Sequence, residues 1–346
     1  MDESTNNRTN NFDGLRLIAA LQVFMGHAIW YLDLDLRLPA LYFFPGVIMF
    51  FTISGFLIFQ SLERSQNFKQ YFINRFIRIY PALLVCFLIT FILLFFFKEI
   101  TFKDLFSFTL VKWIFAQVSF FQFWTPDSLR DWGIGTPNGS LWTIPVEIQF
   151  YILLPFLLYT FPKIKPSYKF LLSMVLFVGA NIILRKLEMK DPNHVLTKLF
   201  GVSIFPFLGF FIVGSLLSLH WQQIKKFIEG KALYWLLLFL AFILVFRVWP
   251  KYQPTSTAGY IINILFSILT ISLAYTKPKL SKLLRGNDMS YGIYIYHALV
   301  LNCFIELGFT KQLKFLASSL FIALILAYLS WHFIEKRALH YKNKIR

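Results

Sequence analysis

Charged side chains are scarce in this sequence, and acidic ones are the scarcest. Asp, Glu, Lys and Arg make up 15% of the 346 residues, against about 25% in a typical soluble globular protein. Hydrophobic residues reach 57% and the mean hydropathy is +0.61, an apolar excess too large for one buried core. The composition therefore argues against a disordered or collagen-like chain, a disulfide-rich secreted module and a nucleic-acid-binding domain.

Cysteines and nucleotide or metal motifs are nearly absent. The two cysteines, Cys86 and Cys303, lie inside apolar runs, so they build neither a disulfide framework nor a metal cluster. The sequence contains no Walker loop, no G-x-G-x-x-G and no H-E-x-x-H. Nucleotide hydrolysis and zinc peptidase chemistry therefore have no support, and we expect no metal.

Long apolar runs dominate what is present. A membrane-spanning helix needs about 20 mostly apolar residues, and ten stretches approach that length. They lie at 15–31, 43–60, 80–97, 144–161, 169–184, 199–219, 232–249, 258–275, 291–307 and 315–335. We therefore predict an all-α polytopic membrane protein with about ten transmembrane helices, forming one transmembrane domain over residues 1–346.

The positive charge is distributed unevenly among the connections. The chain holds 34 Lys and Arg against 17 Asp and Glu, a net charge of +17. With the N-terminus inside, the inner connections hold more Lys and Arg than the outer ones, as the positive-inside rule requires. We predict that both termini are cytoplasmic, that residues 1–13 form a polar tail, and that the lipid bilayer, with no nucleic acid, is the partner of the basic residues.

One connection is long, residues 98–143 on the outer side. Its aromatic run from Phe115 to Trp124 either re-enters the membrane or lies along its surface. The chain ends soon after the last predicted span, so we expect no attached soluble catalytic domain.

Ionisable residues inside the spans are costly in lipid and indicate function. The first span carries Arg16 and His27, eleven residues apart. Eleven helical steps are almost three turns, so both side chains project from one face, about 16 Å apart along the axis. The alternative is that Arg16 reaches to the interface and His27 is an ordinary buried histidine.

Glu147 opens the fourth span, which enters from the outer side, at a depth near that of His27. A carboxylate beside an imidazole fixes the tautomer of the ring and raises its basicity. The alternative is a glutamate that interacts with the dipole at a helix N-terminus.

A second group of polar residues lies toward the cytoplasmic side. Arg75 and Arg78 precede the third span, and their i, i+3 spacing places both on one helical face, where they can hold a phosphate bidentately. His297 lies two turns into the ninth span, and Glu335 lies at the inner end of the tenth. The alternative is ordinary positive-inside charge, with Glu335 as a salt-bridge partner of the arginines.

Six segments, read in order, resemble the acyltransferase 3 family of membrane-bound acyltransferases. They are FDGLRLIAALQVFMGHA, GVIMFFTISGFLI, RFIRIYPAL, NGSLWTIPVEIQFYILLPFLL, SYGIYIYH and WHFIEKR. Their order and spacing agree from residue 12 to about residue 337. Two departures, Thr52 before the SGF segment and Gly26 before the histidine, remove no reactive group. Many relatives carry a C-terminal esterase-like domain, which we do not expect here.

The resemblance implies transfer of an acyl group, usually acetyl, from cytoplasmic acyl-CoA to a hydroxyl of an extracytoplasmic acceptor. Family acceptors are mostly glycans, among them O-antigen, capsule, peptidoglycan and lipid-linked sugars, and some are macrolides or other small molecules. The location implied is a bacterial inner membrane. By position, Arg16 and His27 match the family's essential arginine–histidine pair. Arg75 and Arg78 match its donor-associated arginine motif, and Glu147 matches the glutamate of its tryptophan–glutamate segment.

Roles for the individual residues follow from the resemblance. His27 acts as general base on the acceptor hydroxyl, or is acylated first and passes the group on, while Glu147 orients it. The expected binding site for the donor, acetyl-CoA, consists of Arg16, Arg75, Arg78 and Tyr80. The expected acceptor site consists of Asn138, Trp142, Tyr151 and Ser54, and the supporting residues are His297, Glu335 and Tyr291. Trp124 either stacks on a sugar or belongs to an interfacial aromatic belt.

Two other classes of function stay open. A secondary transporter would use the same intramembrane polar residues as an ion or substrate pathway, although the sequence has no convincing inverted repeat. A purely structural membrane scaffold would leave the polar residues of the spans unexplained. Within the enzyme hypothesis, the length of the acyl chain, the acceptor and the oligomeric state stay open.

Overall fold

The computed structural model describes residues 10–65, 67–277, 284 and 286–344, and every regular element in that part of the chain is a helix. The α-helices are α1 (Phe12–Tyr31), α2 (Ala40–Phe43), α3 (Gly46–Arg64), α4 (Phe68–Phe96), α5 (Phe108–Val118), α6 (Thr143–Tyr159), α7 (Pro166–Lys190), α8 (Val195–Gly201), α9 (Leu208–Leu219), α10 (Trp221–Ile228), α11 (Ala232–Phe246), α12 (Thr257–Ala274), α13 (Ser290–Glu306), α14 (Leu313–Ser330) and α15 (Lys336–Lys344). Short 3-10 helices lie at Asp104–Phe106, Asp127–Leu129, Gly139–Trp142 and Phe205–Phe207. A π-helical turn occupies Trp331–Glu335.

All ten predicted spans coincide with helices, and the prediction of an all-α polytopic membrane protein is confirmed. Among the described residues, eight helical stretches are long and apolar enough to cross a membrane, or nine if the bent pair α10–α11 is one span. The remaining predicted span, α13, has 17 residues and rises about 26 Å, against ~30 Å of hydrocarbon. Of the predicted polar tail 1–13, residues 1–9 lie outside the described residues.

Helix α4 begins at Phe68, well before the predicted start at residue 80. Asn67 caps its first turn, where the Asn67 side-chain oxygen accepts a hydrogen bond from the Gln70 N–H at 2.8 Å. The first turns contain polar and charged residues, so a search for apolar runs does not find them. As a result, the two arginines of the RFIRIYP segment lie inside the helix.

The first compact unit comprises Met1–Ala19, Pro39–Tyr71 and Gln149–Asp288. Its centre is the close contact of α3 with α9, in which Gly55 faces the backbone of Phe211 and Gly214 faces the backbone of Thr52, with no space for a Cβ at either glycine. The Ser215 hydroxyl donates to the Gly55 carbonyl at 3.1 Å. Small residues therefore allow two apolar helices to pack backbone to backbone, as is usual in membranes.

The second compact unit comprises Ala20–Leu38, Phe72–Ile148 and Met289–Arg346. Helix α13 is its most buried element, with apolar side chains such as Ile295, Ala298 and Leu301 fully buried. One apolar cluster joins α1 residues such as Phe24 to α13 and α14. A second joins α4 to Trp113 and Trp132 of the long connection.

The predicted outer connection 98–143 contains α5 and three short 3-10 helices, joined by turns and irregular segments. Helix α5 within it has 11 residues, most of them apolar, which rise about 17 Å and are too few to cross a bilayer. Trp113 and Trp132 are buried in the second unit, whereas Phe108 and Phe115 are mostly exposed. This division between a packed face and an exposed apolar face is typical of a helix that lies at a membrane surface.

Candidate functional site

Two histidines from helices distant in sequence are in direct contact in the second unit. The Nδ1 atom of His27 in α1 lies 2.8 Å from the Nε2 atom of His297 in α13. The His297 ring is fully buried, whereas His27 is half-buried. The sequence analysis named both residues, His27 as the reactive group and His297 as a supporting one, and the structure brings them together.

The other ring nitrogens of the two histidines have different surroundings. His297 Nδ1 lies 2.7 Å from the Tyr294 carbonyl oxygen and 3.2 Å from that of Ile293, both in its own helix. In the part of the chain that the structure describes, Nε2 of His27 makes no hydrogen bond. Among the described residues, the ring nitrogen of the pair that is left without a hydrogen bond is therefore Nε2 of His27.

Aromatic rings enclose the histidine pair within the second unit. The ring of Tyr31 stacks on His27 with centroids 5.5 Å apart, and Phe24 meets His297 edge to face at 6.4 Å. The Tyr294 hydroxyl is 2.8 Å from the Thr143 hydroxyl, which links α13 to the start of α6. These contacts fix the orientation of both rings and keep the buried side of the pair apolar.

Asn138, predicted to contact the acceptor, is buried and uses both halves of its amide inside the protein. Its Nδ2 donates to the Ile295 carbonyl at 2.7 Å, and its Oδ1 accepts from the Ser140 hydroxyl at 2.7 Å. The Cys86 thiol donates to the same Ile295 carbonyl at 3.2 Å. Asn138 therefore ties the outer connection to α13, two residues before His297.

Glu147 and Trp142 lie where the outer connection becomes α6. Trp142 ends the 3-10 helix Gly139–Trp142, and Glu147 lies in the second turn of α6. Both side chains are half-buried. The sequence predicted that Glu147 orients the His27 ring. In the structure, the hydrogen-bond partner of His27 Nδ1 is the imidazole of His297. The role of Glu147 beside His27 stays a prediction.

The predicted donor residues Arg75, Arg78 and Tyr80 share helix α4. Both arginines are half-buried, and their i, i+3 spacing places them on one face, as expected. The Tyr291 hydroxyl donates to the Ile79 carbonyl at 3.0 Å, one residue after Arg78. Tyr291 and His297 lie six residues apart on α13, which is about 9 Å along the helix axis. Tyr291 contacts the arginine segment and His297 belongs to the histidine pair, so one helix links the two.

Tyr80 and Glu335 make local contacts in the second unit. The Tyr80 ring stacks on Phe76 at 4.3 Å, and its hydroxyl lies 3.4 Å from the Ser119 carbonyl oxygen. Glu335 is buried in the π-helical turn, where it accepts a hydrogen bond from the Ser330 hydroxyl at 2.9 Å. A π-helical turn often marks a functional position in a helix.

Three predicted site residues belong to the first unit. Arg16, on the same helix as His27, lies 3.9 Å from an oxygen of Asp13 and 3.7 Å from one of Asp288. Ser54 in α3 and Tyr151 in α6 are buried. Their roles in donor and acceptor binding stay predictions.

The sequence analysis missed the residues that hold the outer connection on α13. Buried Asn302 donates to the carbonyls of Thr136 and Pro137 at 2.7 and 3.1 Å. Glu306 accepts the Gly133 N–H at 2.6 Å, and Gly133 has a φ of +60° that favours glycine. The available signal was an asparagine within an apolar span, which is a costly placement that needs partners.

No cluster of three or more possible metal ligands occurs among the residues that the structure describes. The groups gathered in and around the histidine pair are two imidazoles, aromatic rings and the backbone carbonyls of Ile293 and Tyr294. Such a set can abstract and return a proton, which is the requirement for acyl transfer to a hydroxyl.

Comparisons with known proteins cover almost the whole chain. The family model described as an acyltransferase domain matches residues 9–332. Nodulation protein 10 of Rhizobium leguminosarum bv. viciae is 31% identical, with 99% of this chain and 97% of that protein aligned. An O-acetyl transferase of Shigella phage Sf6 is 28% identical, with 96% of each chain aligned.

A third relative is longer than this chain. A peptidoglycan O-acetyltransferase of Listeria monocytogenes is 26% identical over 94% of this chain and 55% of its own length. No solved structure matches this chain.

Proposed function

The chain belongs to the acyltransferase 3 family of membrane proteins, and from this membership we propose that it transfers an acetyl group from cytoplasmic acetyl-CoA to a hydroxyl of an extracytoplasmic glycan. The names of the relatives support an acetyl donor group and a polymeric acceptor, since they include O-acetyl transferase and peptidoglycan O-acetyltransferase. The phage protein, aligned over 96% of both chains, is named for O-acetyl transfer alone, and the choice of an O-antigen, capsule or lipid-linked sugar as acceptor rests on the family resemblance.

The observation that carries the proposal is the half-buried His27, whose Nδ1 is engaged by His297 and whose Nε2 edge makes no hydrogen bond among the described residues. In the proposed reaction, Nε2 takes the proton of the acceptor hydroxyl while the hydroxyl oxygen attacks the thioester carbonyl. The new C–O bond forms and the C–S bond breaks. The proton then passes from His27 to the thiolate of CoA, so the products are the ester and free CoA.

The donor is held, in this proposal, by the arginine face of α4. The phosphates of CoA cannot enter hydrocarbon cheaply, so they stay at the cytoplasmic end beside Arg75 and Arg78, whose guanidinium groups suit phosphate oxygens. The neutral pantetheine arm then extends along α13 from the level of Tyr291 toward that of His297. The donor roles expected of Tyr80 and Arg16 stay predictions.

The acceptor is expected on the outer side, near the connection 98–143. Trp142 offers an aromatic ring and Glu147 a carboxylate at the entry of α6, and both are half-buried. Because the amide of Asn138 is engaged internally, we assign it a positioning role in this site. Ser54 and Tyr151 are further candidates for acceptor contact.

Release of CoA by the purified, lipid-reconstituted protein tests the reaction. With radiolabelled acetyl-CoA and an isolated surface glycan, wild type should release CoA and label the glycan by an alkali-labile ester. His27→Ala should abolish both signals, because no other base replaces the imidazole. Gly26→Ala is the matched control, since nothing lies within 4 Å of a Cβ at that position. Full turnover by His27→Ala would contradict the assignment.

The donor role of α4 is tested separately by substrate dependence. Arg75→Ala and Arg78→Ala should each raise the KM for acetyl-CoA about tenfold or more, because a charge-assisted contact contributes about 1.5–3 kcal/mol. Lys69→Ala, which removes an exposed charge on the first turn of the same helix, should leave the KM unchanged. An unchanged KM in both arginine variants would count against phosphate binding there.

A further inference from the structure

We propose that His297 fixes the tautomer of His27, so that His27 meets the acceptor hydroxyl with an unprotonated Nε2. His297 is in this view a positioning residue, which acts on the reaction only through His27. The inference rests on the proposed function for its catalytic consequence. The assignment of the tautomer itself rests on the contacts alone.

The Tyr294 carbonyl oxygen can only accept a hydrogen bond. The nitrogen 2.7 Å from it, His297 Nδ1, must therefore carry a hydrogen. A neutral imidazole has one N–H, so Nε2 of His297 is an acceptor. The 2.8 Å contact with His27 Nδ1 then requires the hydrogen on His27. The proton of a neutral His27 is thus on Nδ1, and Nε2 carries a lone pair.

Burial makes this arrangement hard to invert. If His27 carried its proton on Nε2, its Nδ1 lone pair would face His297 Nε2, which would then need a hydrogen. His297 Nδ1 would lose its hydrogen and its lone pair would face the Tyr294 carbonyl. His297 is fully buried, so water cannot relieve that contact, and a ring nitrogen left without its hydrogen bond in the interior costs about 1–3 kcal/mol.

Nitrogen-15 NMR of the histidine rings in the reconstituted protein tests the tautomer without any substrate. His27 in wild type should show a protonated Nδ1 and an unprotonated Nε2, with His27→Ala used to assign its signals. His297→Leu should produce a mixture of His27 tautomers. His332 is the matched control, because its Nδ1 is also close to a carbonyl oxygen in its own helix, that of Tyr328 at 2.9 Å, and His332→Gln should leave the His27 signals unchanged.

Kinetics test the consequence for the reaction. His297→Leu should lower kcat by about 10²-fold, the size of a general-base contribution, with the KM for acetyl-CoA unchanged. His297→Gln should recover part of kcat, since its amide oxygen can accept from His27 Nδ1. A wild-type His27 protonated at Nε2, or a tautomer unaffected by His297→Leu, would overturn the proposal. Turnover by His27→Ala would refute the function of His27 and leave the NMR result standing.

A second inference concerns the elbow between α10 and α11 in the first unit, where the two helices meet at 77°. Gly230, with a φ of +70°, allows the sharp turn, and the Trp235 indole N–H donates across it to the Phe227 carbonyl at 3.0 Å. A groove of about 360 Å³ lies at the elbow. Its lining residues are Lys226, Phe227, Lys231, Tyr234, Trp235 and Leu238.

We infer that this groove binds the headgroup of an anionic phospholipid. The exposed lysines 226 and 231 line the groove beside aromatic rings: Lys226 Nζ lies 4.9 Å from the Phe227 ring centroid and Lys231 Nζ lies 5.5 Å from that of Tyr234. Phe227 is 61% exposed and Tyr234 71%. A phosphate between two lysines with an acyl chain along the exposed apolar side of α11 satisfies both the charge and the apolar surface.

Titration of the purified protein with defined lipids, followed by native mass spectrometry, tests the groove. Phosphatidylglycerol should bind at least fivefold more tightly than phosphatidylcholine, and Lys226→Gln with Lys231→Gln should remove that preference. The matched control is Lys112→Gln with Lys314→Gln, two other lysines that lie over aromatic rings. Equal binding of the two lipids, an unchanged preference in the first double variant, or displacement of the lipid by millimolar inorganic phosphate would overturn the inference.

Discussion

Helices α3 and α9 of the first unit touch backbone to backbone, whereas in the second unit polar side chains join α13 to the segments around it. In the first unit the close approach of the two helices is possible because Gly55 and Gly214 have no side chain. In the second unit the contacts are made by amides and hydroxyls that reach carbonyl oxygens, such as Asn302 to Thr136 and Asn138 to Ile295. The first kind of contact depends on the volume of the side chains at the contact, and the second depends on hydrogen-bond donors and acceptors.

The difference matches what each region contains. The contact of α3 with α9 positions apolar side chains, such as the parallel rings of Phe150 and Phe211 at 4.3 Å. The contacts of α13 position His297 and therefore His27. Each hydrogen bond to α13 is directional, so it fixes rotation about the helix axis as well as distance, which the geometry of a proton-transfer site requires.

The largest effect is expected from a side chain inserted into the steric contact. Gly214→Leu would force a Cβ and an isobutyl group into the backbone of Thr52, and overpacking of this kind costs at least about 3 kcal/mol. We expect little folded protein, measured as the monodisperse fraction in size-exclusion chromatography and as the unfolding temperature of what remains.

Gly179→Ala is the control for that substitution. Gly179 is also inside a helix of the first unit, α7, but nothing lies within 4 Å of a Cβ there. The alanine should stabilise the protein by about 0.5–1 kcal/mol, because glycine is unfavourable inside a helix. Equal loss of folded protein in both variants would mean that the α3–α9 contact is not specially sensitive to volume.

Removal of one hydrogen-bonding side chain should have an intermediate effect, confined to the second unit. Asn302→Leu leaves the buried carbonyls of Thr136 and Pro137 without their donor, at about 2–4 kcal/mol for two such groups. Hydrogen exchange should quicken in the segment 125–140, and acetyl transfer should fall because Asn138 lies in the same segment. Helices α3 and α9 should keep their protection.

Asn181→Leu tests the same kind of loss in the first unit. Asn181 in the first unit is also buried, but its side chain donates to the Phe177 carbonyl of its own helix, with a longer contact of 3.3 Å to Pro206. Since the Phe177 carbonyl already accepts a bond within α7, the loss should be about 1 kcal/mol or less. A cost equal to that of Asn302→Leu would remove the distinction between the two units.

Sequence reasoning found the helices because apolar runs are long and few alternatives exist in lipid. It found His27 and His297 because ionisable residues in such runs are exceptional. It did not anticipate that His297 would be the hydrogen-bond partner of His27 Nδ1, since spacing within one helix says nothing about which residue of another helix lies opposite. The orienting role expected of Glu147 stays a prediction. Sequence reasoning did not find Asn302, because asparagine has no reactive group. Asn302 matters because it donates to carbonyl oxygens of the connection 98–143, and these come near it only in the folded protein.

Tyr291→Phe should have a smaller effect than either asparagine variant. The change removes one hydroxyl, which donates to the Ile79 carbonyl at 3.0 Å, and a single hydrogen bond of this kind contributes about 1 kcal/mol. Because that carbonyl follows Arg78, we expect the KM for acetyl-CoA to rise about threefold with kcat unchanged. Steady-state kinetics against acetyl-CoA measure it, and an effect on kcat alone would place Tyr291 with the histidine pair and not with the donor.

The smallest effect is expected at the edge of the second unit, where Glu99 follows α4. Burial, followed by the negative charges of Glu306 and Asp131, raises the pKa of Glu99 above its usual value. Because the pKa is raised in the folded state, folding favours the protonated form of Glu99. The stabilisation from this protonated side chain is present below about pH 4.3 and is lost as the pH rises through the folded-state pKa.

Glu99→Gln removes the destabilisation that the ionised carboxylate causes at neutral pH. We expect the variant to raise the stability of the connection at pH 7 by a few tenths of a kcal/mol, and the gain is small because the side chain is partly solvated. The unfolding temperature of wild type and variant at pH 4 and pH 7 measures the gain, which should be present at pH 7 only. Asp104→Asn is the control of opposite sign, since hydrogen bonds from the Thr101 hydroxyl and N–H lower the pKa of Asp104 and an uncharged amide oxygen accepts them more weakly than the carboxylate. If Glu99→Gln stabilised the protein equally at both pH values, its effect would come from packing and not from the charge of Glu306 and Asp131.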